Sequence, residues 1–470
     1  MRAHLINPPA AGGVDIVREG RCMQRAGAWT AVWAPISLAT IGAVLEDAGV
    51  TCRLDDCIIE KISVEDVLSR ARSFKPDLIV INTATPSIVS DLGLADRLKR
   101  ELPGSYILAI GIHVTALPEE SLRMAPGLDA VVRGEPELTV KDVAAALGAG
   151  RAAAGLAGVS ARSGGGIAHG PERAAADLDT LPFPAWRLAR PERYKLPFTG
   201  RPFLLIGTSR GCPFHCDFCA DPAYYGHALR LKSPERIVSE LKAARDGHGI
   251  RDFLFWSESF TLKREWTMAV LDAIIAADPG VRFVVNSRAD HVDPELLTKL
   301  KRAGCWMIGF GLESGSARTL ALMDKKITPE QNRSAVAWSR EAGLQVTAHF
   351  VIGYPGETED GIRETIEFAC SLPLDYAQFY CAVPFPGSAL YKKARGEGWL
   401  LDAPWELFEQ NFSVLSYPGL SRERIMELRR YAYRRFYSRP ARVWRVLKGS
   451  VGIRGAPRFV RMALSFREWI

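Results

Sequence analysis

Short apolar runs alternate with amphipathic stretches along the first 150 residues of the chain. The run DLIVINTAT at residues 77–85 has an unbroken apolar centre, which is typical of a strand buried on both faces of a parallel sheet. Residues 64–74 place their apolar side chains at helical spacing. Strands that alternate with helices predict a doubly wound α/β sheet over residues 1–150. Ligands bind such a sheet beyond the carboxyl ends of its strands.

A second alternating series begins after residues 151–199. Those residues are rich in Gly, Pro, Ala and charge, and we predict that they form a linker with a small hairpin at residues 164–166. Between residues 200 and 395 the pattern predicts six strand–helix units, whereas a closed barrel needs eight. We therefore expect a partial, open (β/α)6 TIM barrel, followed by a helical C-terminal region over residues 396–470.

The composition is that of an ordinary folded protein, with 47% apolar and 24% charged residues. Its nine cysteines are an odd number in a chain of 470 residues, so we predict no disulfide scaffold. No apolar stretch follows Arg2, and we expect a cytoplasmic protein without a signal peptide. Residues 26–45 carry no charge over about the length of a membrane span, but Pro35 interrupts them. The prediction is a loop and then a buried helix at residues 35–47.

The positive charge of the chain lies in its C-terminal region. Residues 421–470 contain fourteen Lys or Arg against three Asp or Glu, a net charge of +11, while the whole chain has +7. Apolar residues recur at helical spacing over residues 422–437, and Pro440 should end that helix. We predict that residues 421–447 form a helical segment that packs on the barrel. Peripheral contact of the last residues with an anionic membrane surface is the alternative, and no nucleic-acid motif is present.

Three cysteines, Cys212, Cys216 and Cys219, lie close together in the segment RGCPFHCDFCA. A disulfide does not suit a reducing cytoplasm. A structural zinc site needs four ligands, usually as two separated pairs, and here His215 would have to supply the fourth through an awkward local turn. Closely spaced thiolates are typical of iron–sulfur clusters, and three thiolates on a four-iron cluster leave one iron free.

CPFHCDFC at residues 212–219 resembles the cluster motif of the radical S-adenosylmethionine (SAM) superfamily, including Phe218 before the last cysteine. The resemblance implies a 4Fe-4S cluster on Cys212, Cys216 and Cys219, with SAM bound to the open iron. An external donor of the flavodoxin or ferredoxin type would supply the electron that cleaves SAM to methionine and a 5′-deoxyadenosyl radical. The resemblance extends over residues 200–390.

The ends of the later barrel strands also match this superfamily, in the segments WSESF, SRAD, GLESGS and FVIGYPGET. In the family these strand ends contact SAM. A polar side chain at a strand end can also simply satisfy backbone groups, and that alternative stays open. The SAM contacts that the resemblance implies are Ser257, Glu258, Arg288, Glu313, Ser314, Ile352 and Gly353.

Residues 1–145 resemble the Rossmann-like cobalamin-binding domain that is fused to many radical SAM enzymes. No GxGxxG follows the first strand, so a nicotinamide or flavin site is not predicted. The DxHxxG signature of other cobalamin proteins is missing, since Asp56 is followed by Cys57 and Ile58, and we expect base-off cobalamin. A degenerate domain without cobalamin is the alternative. The implied cobalamin contacts are Asn7, Thr83, Thr85, Gly111, His113, Val114, Gly134 and Glu135.

Two segments, GRCMQRAGAWTAVWAPISLATIGAVLEDAG and RRYAYRRFYSRP, resemble the branch that contains the anaerobic magnesium-protoporphyrin ester cyclase and hopanoid-pathway enzymes. The resemblance implies a small-molecule substrate that is large and apolar. Methylation of an unactivated carbon is the first hypothesis. Radical oxidative cyclisation or rearrangement without methyl transfer is the second, and a non-catalytic iron–sulfur electron carrier is the third.

Overall fold

The computed structural model describes residues 1–10, 12–20, 24–25, 31–197 and 199–439. Apolar strands and amphipathic helices alternate through the first part of the chain, as their sequence periods predict. Its elements are β1 (Arg2–Asn7), β2 (Ile16–Val17), β3 (Gln24–Arg25), α1 (Ile36–Asp47), β4 (Thr51–Asp56), α2 (Cys57–Glu60), α3 (Val64–Phe74), β5 (Leu78–Asn82), α4 (Ile88–Glu101), β6 (Tyr106–Ile110), α5 (Ile112–Ala116), α6 (Pro118–Met124), β7 (Ala130–Val132), α7 (Pro136–Gly148), β8 (Val159–Ser163) and β9 (Gly166–His169).

These strands form a seven-stranded sheet in the order β4-β1-β5-β6-β7-β8-β9. The first five strands are parallel, and helices cover both faces, so the predicted doubly wound sheet is confirmed. Alternate side chains of β5 point to opposite faces of the sheet. Val80 packs into the apolar core that the sheet shares with the barrel, and Ile79 packs into a separate apolar cluster on the other face. The hairpin predicted at residues 164–166 is β8–β9, an antiparallel extension of this sheet. The sheet therefore reaches His169, and a domain boundary at residue 150 stays a prediction.

The second part of the chain begins with a strand that leads into the cysteine segment. Its elements are β10 (Phe203–Gly207), β11 (Ser209–Arg210), α8 (Pro222–Tyr225), β12 (Arg230–Leu231), α9 (Pro234–His248), β13 (Asp252–Trp256), α10 (Arg264–Ala277), β14 (Arg282–Ser287), α11 (Pro294–Arg302), β15 (Cys305–Glu313), α12 (Ala317–Leu322), α13 (Pro329–Glu341), β16 (Gln345–Ile352), α14 (Glu359–Ser371), β17 (Tyr376–Cys381), α15 (Ala389–Gly396) and α16 (Arg422–Tyr437).

Six of these strands form a parallel sheet in the order β10-β13-β14-β15-β16-β17, with helices on its outer side. The predicted partial barrel is confirmed. Aromatic side chains fill its wall: Phe255 stacks on Phe283 with ring centroids 4.2 Å apart, and Phe350 stacks on Phe379 at 5.4 Å. The carboxyl ends of all six strands lie at one rim of the barrel, which is where barrel enzymes place their chemistry.

Helix α16 packs along the outer edge of β17. Arg429 Nε donates to the carbonyl of Phe379 at 2.9 Å, and the Phe379 N–H donates to the Tyr433 hydroxyl at 3.2 Å. The Tyr437 hydroxyl accepts from the Ala377 N–H at 3.1 Å and donates to the Ala377 carbonyl at 2.8 Å. The predicted packed helix is thus confirmed for residues 422–437. Pro440 and the last residues of the tail lie outside the described residues.

The helix predicted at residues 35–47 is also confirmed, as α1. It has 12 residues, and no helix in the described part of the chain is long and apolar enough to cross a membrane.

Candidate active site

The three cysteines lie on a loop, residues 211–229, whose two ends are joined by the antiparallel β11–β12 ribbon. Gly211 begins this loop with φ +85°, and a Cβ there would lie 2.2 Å from the Ala228 carbonyl oxygen. Only glycine fits this position, because it tolerates positive φ and has no side chain. The Cys219 N–H donates to the Cys216 carbonyl at 3.0 Å, which closes a turn between the last two cysteines.

Asp217, inside the cysteine loop, ties it to three surrounding segments. Its N–H donates to the Met323 carbonyl at 3.2 Å, and its carbonyl accepts from the Leu390 N–H at 2.8 Å. Its carboxylate accepts a hydrogen bond from the Tyr354 hydroxyl at 3.2 Å. The loop is therefore held from outside as well as by its own turns, which fixes the cysteine positions before any cofactor binds.

Arg288, at the end of β14, brings a positive charge to the cysteines. Its Nη1 lies 3.9 Å from Cys216 Sγ, and its guanidinium lies 3.7 Å from the centre of the Phe214 ring. The same guanidinium donates to the Asp290 carboxylate at 3.0 and 2.9 Å and to the Lys325 carbonyl at 2.8 Å. Arg288 is itself buried, so its contacts place a fixed positive charge beside the cysteine loop.

A cavity of roughly 360 Å³ lies at the barrel rim and extends into the lumen. All three cysteines line it, and no three His, Cys, Asp or Glu side chains of the described residues converge tightly enough to hold a single metal ion. Three thiols on one cavity wall fit an iron–sulfur cluster, since each thiolate of such a cluster binds a different iron atom. The other predicted site residues that line the cavity are Phe218, Glu258, Arg288 and Glu313.

Glu313 is paired inside the cavity with Lys325, whose Nζ lies 2.8 Å from Glu313 Oε1. Both side chains are buried, and Glu313 adopts a positive φ of 61°, which is strained for a residue with a side chain. A strained backbone beside a buried ion pair is typical of a functional site.

Four predicted SAM contacts lie outside the lining of this cavity. Ser314 Oγ lies 2.7 Å from Thr365 Oγ1, and the Gly353 N–H donates to Glu357 at 2.8 Å. Ile352 is fully buried in the core. Ser257 is buried, and its hydroxyl has no hydrogen-bond partner among the described residues. The SAM-binding roles of Ser257, Ser314, Ile352 and Gly353 stay predictions.

The lumen below the cysteines contains polar residues that the sequence analysis did not select. Asn286, His349 and Gln378 point inward from β14, β16 and β17, and the His349 ring stacks on that of Tyr380 with centroids 5.8 Å apart. A signal for them exists in the sequence, because each is a polar residue that directly follows an apolar residue inside a parallel strand. Trp33, which packs edge-on against Trp256 at 5.0 Å, has no such signal.

The carboxyl edge of the N-terminal sheet brings five predicted residues together: Asn7, Thr83, Thr85, Gly111 and His113. His113 Nδ1 lies 3.3 Å from Thr85 Oγ1, and Thr83 Oγ1 donates to the Ile110 carbonyl at 2.8 Å. A Cβ on Gly111 would lie 2.5 Å from the Thr83 carbonyl oxygen. Burial lowers the pKa of His113 to about 3, so its imidazole is neutral near pH 7.

Three other predicted cobalamin contacts make different interactions. Val114 is buried in the apolar cluster on the outer face of the sheet. Gly134 has φ +72°, and its N–H donates to Thr115 Oγ1 at 3.0 Å. Glu135 forms ion pairs with Arg210 and Arg230 of the β11–β12 ribbon.

Asp56 caps a short helix at the place where the DxHxxG signature would continue. Its Oδ1 accepts from the N–H groups of Ile58 and Ile59 at 3.1 and 3.5 Å, and its Oδ2 accepts from the Tyr194 hydroxyl at 2.6 Å. The residue after next is buried Ile58, so no imidazole extends from this position.

Comparisons with known proteins agree with this architecture. The profile of the Radical SAM superfamily matches residues 206–369, and that of the B12 binding domain matches residues 27–144. An uncharacterized methyltransferase of Pyrococcus horikoshii is 32% identical over 407 residues, which are 86% of this chain and 88% of the relative. This chain belongs to the radical SAM superfamily and has a B12-binding domain.

Two further relatives of this radical SAM enzyme span nearly its whole length. An anaerobic magnesium-protoporphyrin IX monomethyl ester cyclase of Rubrivivax gelatinosus is 26% identical over 94% of this chain and 78% of the relative. The structure of the radical SAM methyltransferase TsrM from Kitasatospora setae matches with a TM-score of 0.72 at 17% identity, covering 99% of both chains. The latter similarity supports the fold.

The cofactors of this radical SAM enzyme are a 4Fe-4S cluster, SAM and cobalamin. The residues present fit them. Three half-buried thiols line a cavity large enough to admit a small molecule. At the carboxyl edge of the N-terminal sheet, Asn7 Oδ1 and His113 Nε2 are buried without a hydrogen-bond partner among the described residues. Such atoms usually have a partner, so they indicate a ligand at this edge.

Proposed function

We propose that this radical SAM enzyme transfers a methyl group to an unactivated carbon of a small molecule with a large apolar body. The observation that carries the proposal is the cavity beside the cysteines, whose lining is mostly aromatic and aliphatic. An apolar cavity with a few polar groups suits a substrate of the same character. The apolar part of the lining includes Trp33, Phe214, Trp256, Met307 and Val351.

The protein and its cofactors have separate tasks in this reaction. When bound, the cluster and SAM would supply a 5′-deoxyadenosyl radical, and cobalamin would supply the methyl group. Arg288 and Asp217 hold the cysteine loop, and we propose that Glu258 and the Glu313–Lys325 pair contact SAM at the barrel rim. The aromatic lining excludes water, which would otherwise intercept reactive species.

Cyclisation or rearrangement without methyl transfer is a second candidate. It is supported by the relative that carries the cyclase name, because that relative aligns with 94% of this chain. A non-catalytic electron carrier is disfavoured, since an electron carrier has no need of a cavity beside its cluster.

The two candidates differ in their stoichiometry. A methyltransferase of this type consumes two SAM molecules per product and releases S-adenosylhomocysteine and 5′-deoxyadenosine in similar amounts. A cyclase has no reason to release S-adenosylhomocysteine. Turnover with methyl-deuterated SAM, followed by mass spectrometry, separates them: product without deuterium, formed while only 5′-deoxyadenosine accumulates, would exclude methyl transfer.

We further propose that cobalamin is bound base-off, because Ile58 stands where the DxHxxG signature has its histidine. The absorption spectrum of the full-length protein with hydroxocobalamin tests this, and a histidine-ligated spectrum would contradict it. We also propose an external flavodoxin- or ferredoxin-type electron donor. The basic segment at residues 440–470 is the proposed site of any peripheral membrane contact, so substrates should be supplied in detergent or liposomes.

A further inference from the structure

Glu135 and Glu137 lie where the N-terminal sheet meets the ribbon that carries the cysteine loop. We propose that they are positioning residues, which fix the distance between the iron–sulfur cluster and cobalamin through Arg210 and Arg230. These four side chains are named the charge clamp below. The proposal goes beyond the proposed function, because it holds for methyl transfer and for cyclisation alike.

The β11–β12 ribbon pairs two positively charged side chains, so negatively charged neighbours stabilise it. Arg210 of β11 and Arg230 of β12 lie directly opposite each other in this antiparallel pair. Two like charges at such positions repel and destabilise a ribbon. Glu135 neutralises this repulsion by contacting both arginines: it accepts from Arg210 Nη1 at 2.5 Å, from Arg230 Nη1 at 3.2 Å, and also from Arg230 Nη2.

Glu137 completes the balance of charge. It accepts from Arg210 Nη2 at 2.5 Å and from Arg210 Nη1 at 3.2 Å. The clamp therefore contains two positive and two negative charges, and its side chains are largely buried, with Glu137 2% and Glu135 11% exposed. Buried pairs of this kind are directional, because each guanidinium presents a planar fork of donors.

Both glutamates are rigidly placed on the cobalamin-binding domain. They follow β7 through the turn at Gly134, whose N–H donates to Thr115 Oγ1 of α5 at 3.0 Å. Glu137 lies in the first turn of α7, and Glu135 immediately precedes that helix. Helix α5 includes His113, so the clamp and the predicted cobalamin edge share one structural unit.

The two arginines flank the cysteine loop directly. Arg210 is two residues before Cys212, and Arg230 immediately follows the loop. A second contact lies inside that loop: helix α8 packs against α5, and a Cβ on Gly134 would lie 3.5 Å from the Tyr224 carbonyl oxygen. The domain with the cobalamin edge thus holds the cysteine loop at both its base and its interior. Glu135, predicted from the sequence as a cobalamin contact, is assigned here to positioning.

The experiment measures the separation of the two cofactors in the full-length, reconstituted protein. Pulsed dipolar EPR between cob(II)alamin and the reduced cluster gives a distance distribution for the wild type and for the double variant Glu135→Gln/Glu137→Gln. We expect a broadened or shifted distribution in the variant at unchanged iron and cobalamin content. Reductive SAM cleavage without substrate should change by less than about twofold, while substrate turnover falls on the order of 100-fold, the typical effect of a misplacement of about 1 Å.

The matched control is Glu119→Gln on the same domain, whose partners Arg123 and His169 do not reach the cysteine loop. It should keep the wild-type distribution. Arg230→Lys keeps the charge but loses the fork, and it should broaden the distribution without loss of cofactors. A wild-type distribution in the double variant overturns the proposal. If the double variant does not fold, a wild-type distribution in Arg230→Lys overturns it equally.

Discussion

Replacing Arg288 with glutamine should lower the reduction potential of the iron–sulfur cluster. The guanidinium lies 3.9 Å from Cys216 Sγ, and at an effective dielectric constant of about 20 two unit charges at that separation interact by about 4 kcal/mol. Asp290 binds the same guanidinium and cancels part of its field. We therefore expect a net effect of roughly 1–2 kcal/mol on a cluster that gains one electron, or roughly 40–90 mV.

The assay is an EPR-monitored redox titration of the anaerobically reconstituted protein. The potential of the Arg288→Gln variant should shift to a more negative value, because the added electron loses a nearby positive charge. Arg288→Lys keeps that charge and serves as the control, with a potential within about 20 mV of the wild type. Equal potentials in all three proteins, at equal iron content, would show that the Arg288 charge does not act on the cluster.

Three further outcomes are expected. Replacing Cys212, Cys216 or Cys219 with alanine should remove iron and abolish reductive SAM cleavage, and cleavage that survives in the triple variant would contradict the site. Gly309→Leu should block turnover but spare SAM cleavage, since even a Cβ there would lie 2.5 Å from Asn286 Oδ1; equal turnover would show that substrate does not enter the lumen. Burial raises the pKa of Glu19 to about 8, so the folded protein keeps a proton that the unfolded chain has released. The free energy of unfolding should therefore fall, by up to about 1.4 kcal/mol per pH unit, as pH rises from the ordinary glutamate pKa to about 8. Glu19→Gln should flatten this dependence in denaturant titrations, and an unchanged slope would refute the burial argument.

Much of the fold follows from the sequence because its signals are local. Helix α3 was predictable over residues 64–74, since Ser63 and Asp66 form a capping box at its start. The six barrel strands were predictable from apolar runs separated by amphipathic helices. The place of the hairpin β8–β9 was not, because its pairing with β7 depends on a sheet edge that only the folded chain creates.

The site was predictable where one short segment carries it. The three cysteines and Phe218 are adjacent in the sequence, and the cavity contains all four. Lys325 was missed because its partner Glu313 is on another element, and the pairing of Glu135 with Arg210 joins residues that are 75 positions apart. Trp405, whose ring lies 4.8 Å from that of His113, comes from the C-terminal region and leaves no signal in the N-terminal sequence.

An open barrel has a last strand with unpaired backbone groups, and such an edge is a template on which another chain can add a strand. In this protein the outward-facing backbone groups of β17 form hydrogen bonds with side chains of α16, namely the hydroxyls of Tyr433 and Tyr437 and the guanidinium of Arg429. Tyrosine and arginine side chains of α16 therefore replace the hydrogen bonds that a seventh strand would make to β17. A variant truncated before α16 should keep its cysteine loop but self-associate through the exposed edge of β17. Light scattering should therefore detect aggregation before the cluster changes.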